Sequence, residues 1–189
     1  MPVLARSTLA IVTGYHGCER DLAERILAGE ESLRQSENEN NWLGPGIYFW
    51  LDDPNRGREW AVQRQKKGKI NVPYVIGAYI ILGTCLWTTS LAGKEEMRLT
   101  YFHLKKIFET THRSLPKNKK HERKLDCAVL AALHQFREDK VMPAYDSVCG
   151  VFEDGTPIYK GSRFKDKTHI SIAVRNTSCI HAFFRVRGA

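Results

Sequence analysis

Two short runs decide how this chain is read: Tyr15-His16-Gly17, and Gly44-Pro45-Gly46-Ile47-Tyr48-Phe49-Trp50 about thirty residues later. Each reads as the end of a strand that carries an aromatic ring beside a glycine. Upstream of the first, Leu9, Ala10, Ile11 and Val12 predict a strand over residues 9–16 that stops at Gly17. Leu22, Ala23, Ile26 and Leu27 then fall at helical spacing, with Gly29 as the expected C-cap. Residues 30–41 are polar and read as an exposed loop into the second run. Asp53-Pro54 starts another helix, with the acid as N-cap and the proline at the first helical position. That helix is expected to reach Lys67, with Gly68 closing it and Trp60 on its inner face.

Further along, residues 72–82 are apolar on both faces, as a central buried strand requires, and Pro73 is tolerable near its start. Met97, Tyr101, Leu104 and Phe108 form one helical stripe; Leu125, Val129, Ala132, Leu133 and Phe136 form a second. Pro116 and a charge run separate them, so a helical hairpin is expected as an insertion over about 94–140. The rest reads as β: residues 145–152, a turn at Asp154-Gly155, a strictly alternating strand His169–Val174, and a last strand through Ile180, Ala182, Phe184 and Val186. With no internal repeat, the chain is expected to be one α+β domain over residues 1–189.

Hydrophobic residues make up 42% of the chain, enough for a core and unlike a disordered composition. No apolar run approaches a membrane span, and the first residues lack a secretory pattern, so a cytoplasmic protein with no membrane partner is expected. Five scattered cysteines without a C-x-x-C predict reduced thiols, and no metal-ligand cluster is visible. The charge of +8 is uneven. Residues 1–104 carry twelve basic and twelve acidic side chains, residues 105–125 sum to +6, 126–159 to −4 and 160–189 to +6. Two basic blocks on a neutral body suit a polyanion, although solvated faces account for them equally well.

The two opening runs also suit a flat, charged ring held beside a sugar. A tyrosine can stack on a cationic ring, a histidine can bond a ribose hydroxyl, and a glycine leaves its backbone open to an amide. Nicotinamide riboside, the reactive half of NAD, has all three features. Taken singly, each piece has a plainer reading: a turn after His16, a tight turn at Gly44–Gly46 into a buried strand, a core role for Trp60.

The runs resemble the ADP-ribosyltransferase fold, in the branch with a His-Tyr-Glu triad that includes poly(ADP-ribose) polymerases and tRNA 2′-phosphotransferases. The resemblance implies a split, two-sheet core. It implies that His16 bonds a ribose hydroxyl of NAD, that Gly17 and Gly46 belong to the cofactor site, and that Tyr48 stacks on nicotinamide. Trp60, twelve residues after Tyr48, would cover the other face of the ring. Aligning the late strand puts Ser171 where that branch has its glutamate, with Glu153 and Asp146 as other acids that could serve.

The chain is also similar to small bacterial proteins that combine Tyr-His-Gly-Cys-Glu, Gly-Pro-Gly-Ile-Tyr-Phe-Trp and a C-terminal Lys-Thr-His-Ile-x-Ile-x-Val-Arg-Asn, here residues 167–176. That likeness implies a toxin-like mono-ADP-ribosyltransferase of phage-defence toxin–antitoxin systems. Its co-substrate would be NAD, its acceptor RNA, and an antitoxin protein a possible partner. Lys117, Lys119, Lys120 and Lys124 are the expected phosphate contacts. Transfer to a protein, or a non-catalytic module that binds NAD or ADP-ribose, stand as the alternatives.

Overall fold

The computed structural model describes residues 7–119 and 122–188. In chain order the elements are β1 (Ser7–Glu19), α1 (Arg20–Leu27), β2 (Ile47–Leu51), α2 (Pro54–Lys66), β3 (Pro73–Trp87), α3 (Leu91–Thr110), α4 (Lys124–Asp139), β4 (Ser147–Phe152), β5 (His169–Val174), a 3₁₀ turn (Thr177–Cys179) and β6 (Ile180–Arg185). The α+β class holds.

The six strands run in the order β1-β2-β5-β4-β3-β6, and β1 pairs with β3 as well. The pairings resolve into two antiparallel trios, β6–β3–β1 and β2–β5–β4. Two short seams join them. β1 meets β2 only at Gly14 and Tyr15, and β3 meets β4 in parallel over Cys85–Trp87. β3 changes trio at Gly83, which takes φ 60, and there Asp146 accepts the Thr84 N–H at 2.8 Å. A Cβ at Gly83 would lie 2.4 Å from that carboxylate, so the corner needs a glycine.

The inner faces of the trios share one core, built on Phe49, Ile47, Ile76, Ile80, Leu82, Ile172 and Val174, with Ala23 and Ile26 of α1 packed in. A second core lies on the outer face of β2–β5–β4, where Leu130 and Leu133 of α4 cover Val148 and Ala173. β5 is therefore buried on both sides. Ser171, at 7% exposed, and Ala173 are buried along with Ile172 and Val174.

Other boundaries shift for physical reasons. β1 does not stop at Gly17 but runs on to Glu19, because Gly17 pairs with Val75 of β3. β3 extends five residues past Leu82 to reach its seam with β4. On α2, Asp53 accepts the Arg56 N–H at 3.0 Å as expected of an N-cap, but the buried positions are Gly57 and Ala61. Trp60 is 37% exposed and flanks the inner face instead of filling it. A Cβ on Gly17 would meet the Gly57 carbonyl oxygen at 2.3 Å, so these two glycines bring α2 onto β1 backbone to backbone.

Candidate functional site

At the β1–β2 seam, Asp52 N–H donates to the Thr13 carbonyl at 2.9 Å, which turns Thr13 toward β2. Alternation along a strand turns Tyr15 and Gly17 the same way. With Tyr15 opposite Trp50, a continued ladder would set Gly17 opposite Tyr48. That place in the ladder is taken instead by the His16 ring, whose Nδ1–H donates to the Tyr48 carbonyl at 2.8 Å. The imidazole thus wedges into the split between the strands. It fixes its own tautomer, leaves Nε2 with a lone pair, and frees the Gly17 backbone from β2. Burial holds His16 below the usual histidine range, only partly offset by the Tyr48 bond, so the ring is neutral near pH 7.

The aromatic surroundings of His16 are Phe49 at 5.7 Å and Trp60 at 6.4 Å, and Trp60 lies 5.8 Å from Trp50. The Arg64 guanidinium already sits over the Trp60 ring, 5.0 Å from its centroid. Tyr48 is partly buried and packs against the second core. Its hydroxyl donates to the Gly44 carbonyl at 2.8 Å and accepts the Leu43 N–H at 2.9 Å, while burial pushes its pKa well up. The phenol therefore shapes the loop that carries Gly44-Pro45-Gly46. Gly46 exchanges both backbone hydrogen bonds with Ser36, at 2.9 and 3.2 Å.

Ser171 is 7% exposed and pairs with Trp50 on one side and Gly150 on the other. Tyr48 faces Ala173, two residues along, so Ser171 and Tyr48 are diagonal neighbours on the same face. His16 lies in register with Ile76, on the face of β1 that joins the inner core. The structure thus brings His16, Trp50 and Trp60 together, joins His16 to the Tyr48 backbone, and sets Ser171 beside Trp50. Of the other acids, Asp146 is committed to Thr84 and to Asn176, whose side chain donates at 2.8 Å. Glu153 is exposed beyond β4 and 3.8 Å from Lys165.

The basic connection is partly neutralised. Lys124 pairs with Glu39 at 3.0 Å and Lys119 with Glu122 at 3.9 Å, Lys117 is exposed, and Lys120 lies outside the described residues. Sequence reasoning missed Arg56 and His169, which lie 3.5 Å apart; the i, i+4, i+8 spacing of Arg56, Trp60 and Arg64 on α2 was the available signal for the first. Among the described residues, three cavities lie by the helical hairpin, one of about 350 Å³ along α3 at His103 and Ile107. One of about 950 Å³ opens between α3 and α4 over Leu133 and Tyr145, and one of about 420 Å³ is lined by Trp42, Leu43, Met97 and Leu130. The largest is away from His16, and that of about 420 Å³ adjoins the candidate residues through Leu43, whose N–H the Tyr48 hydroxyl accepts, and through Phe152, which packs on His169 at 5.5 Å.

Among the described residues there is no group of His, Cys, Asp and Glu side chains that could hold a metal ion, and no helix is long and apolar enough to cross a membrane. No protein-family profile and no solved structure matches the chain. It is similar, at 25% identity over 185 residues, to the uncharacterized protein MJ0359 of Methanocaldococcus jannaschii, a likeness that spans 89% of this chain and 84% of the archaeal one.

Proposed function

We propose that the chain is an NAD-dependent mono-ADP-ribosyltransferase of the His-Tyr-Glu type, with RNA as acceptor. The observation that carries the reading is the hydrogen bond from His16 Nδ1 to the Tyr48 carbonyl at 2.8 Å, which ties the two diagnostic runs together where their strands part. It supports three roles at once. His16 Nε2 accepts from a ribose hydroxyl, and the Gly17 N–H and C=O receive the carboxamide. Tyr48 borders the nicotinamide, or supports the loop that does. The glycosidic bond between nicotinamide and ribose breaks with its electron pair going to the ring nitrogen. An acceptor oxygen or nitrogen then bonds the ribose carbon and loses its proton.

The resemblance gives Ser171 the position of the carboxylate that would steady the oxocarbenium-like sugar, and a serine hydroxyl supplies no negative charge there. This favours a slow transferase and keeps a non-catalytic NAD-binding module as the second reading. RNA as acceptor rests on the basic blocks, and a phage-defence role with an antitoxin partner rests on the resemblance alone. The test is incubation with NAD labelled on its adenylate, together with cellular RNA and protein. Label that survives protease and is lost to ribonuclease supports the proposal. Label on protein moves the acceptor, and failure to release nicotinamide under any condition overturns the enzyme.

A further inference from the structure

Three residues of α2 fall at i, i+4 and i+8 on one helix stripe: Arg56, Trp60 and Arg64. Gly57 and Ala61 pin the adjoining face to β1 and β3, so the direction of the stripe is set by backbone packing. Trp60 lies beside His16 and Trp50, and the Arg56 end of the stripe reaches His169 of β5. Cationic side chains on a surface helix ordinarily extend into water. These two do not. The Arg64 guanidinium lies on Trp60, the Arg56 side chain is 16% exposed, and the Nε–H of each is shielded from solvent with no acceptor.

Arg56 lacks more than one acceptor. Its Nη2 lies 3.5 Å from His169 Nδ1, but that nitrogen is 2.7 Å from the Lys167 carbonyl and directs its own proton there. The contact is two donors side by side, not a hydrogen bond. Arg56 keeps one anionic partner, Glu59, bound to Nη1 and itself half exposed. Buried N–H groups are normally paired, and two forks with unmet donors beside an exposed indole describe a site awaiting an oxyanion. The same charges disfavour a cationic ring on Trp60, since Arg64 already occupies a face of the indole.

We infer that the Arg56–Trp60–Arg64 stripe is a binding subsite for nucleotide phosphate groups, with Trp60 backing the adjoining sugar or base. The inference rests on reading the surroundings of His16 as a nucleotide site. Phosphate reaches it from one of two sources, the diphosphate of the dinucleotide or the backbone of an acceptor strand.

The test is calorimetric titration of the full chain with ADP-ribose, with a short oligouridylate and with nicotinamide riboside, which carries no phosphate. Wild type is compared with Arg56→Gln, Arg64→Gln and the charge-preserving Arg56→Lys. The expected result is a loss of about tenfold to a hundredfold in affinity for ADP-ribose or for the oligonucleotide in each glutamine variant. Arg56→Lys should fall between, and nicotinamide riboside, which lacks phosphate and carries a cationic ring, should bind no variant more weakly than wild type. The ligand that weakens identifies the source. Glutamine variants that melt with wild type and bind both phosphate ligands as tightly overturn the subsite and leave the functional reading standing. Wild type that binds none of the three ligands overturns the functional reading and the subsite with it. A variant that unfolds early is replaced by its lysine counterpart, whose unchanged affinity for both ligands counts against the subsite in the same way.

Discussion

His134 provides a measurement that isolates one buried group. It sits on α4, 4% exposed, between the second core and the Tyr145 ring 6.3 Å away, and neither ring nitrogen has a hydrogen-bond partner. Burial is the main cause of a pKa pushed down from 6.5 to about 3, and the Arg175 and Arg137 guanidiniums add to it. A depressed histidine is neutral in the folded chain, whereas the unfolded chain takes up the proton below pH 6.5. Stability from this group is therefore full above pH 6.5 and falls as pH drops toward 3. At pH 5 the unfolded state gains about 2 kcal/mol from 1.5 pH units at about 1.4 kcal/mol each.

His134→Leu removes that term and the two unpaired nitrogens while keeping an apolar side chain in place. Urea unfolding at pH 7.5 and pH 5 should show wild type losing about 2 kcal/mol more than the variant across the interval. His16 and His169 are also held low, mainly by burial, and steepen both curves, so the difference between the proteins is the informative quantity. Parallel curves for the two proteins would refute the argument, because they would mean that His134 is hydrated or paired in solution.

Other expectations follow from the site. Gly17→Ala forces a methyl to within 2.3 Å of the Gly57 oxygen, so thermal or urea unfolding should show a loss of about 1–3 kcal/mol; a neutral result would mean that α2 does not rest on β1 as described. Tyr48→Phe strands the Leu43 N–H and the Gly44 carbonyl and should cost about 1–3 kcal/mol in the same assay, while NAD binding measured on the folded fraction survives; equal stability would deny the loop its phenol bonds. Ser171→Glu places a carboxylate beside Trp50, on the strand that also carries His169 near Arg56, and should raise the rate of nicotinamide release; a folded variant with an unchanged or lower rate would remove the missing charge as the cause of a slow enzyme.

Much of the architecture was legible in the sequence because it is local. Apolar spacing and caps marked α1, α2, the helical hairpin and five of the strands, and Asp53-Pro54 marked the start of α2 to the residue. The two runs around His16 and Tyr48 could be picked out because their chemistry is compact. Tertiary structure decided everything that depends on what lies opposite. Whether β1 stops at Gly17 or pairs on to Glu19 depends on Val75 and Pro73, more than fifty residues away. That Ser171 is buried follows from β2 and β4 on the two edges of β5 and from α4 and the inner core on its two faces.

The departure of Trp60 from the inner face of α2 has the same kind of origin: only the meeting of Gly17 with Gly57 rotates that helix so that the glycine-alanine edge packs and Trp60 turns beside His16 and Trp50. A sequence records which side chains are apolar and how they repeat. It does not record which backbone comes close enough to exclude them, and in this chain that close approach turned a tryptophan of α2 toward His16.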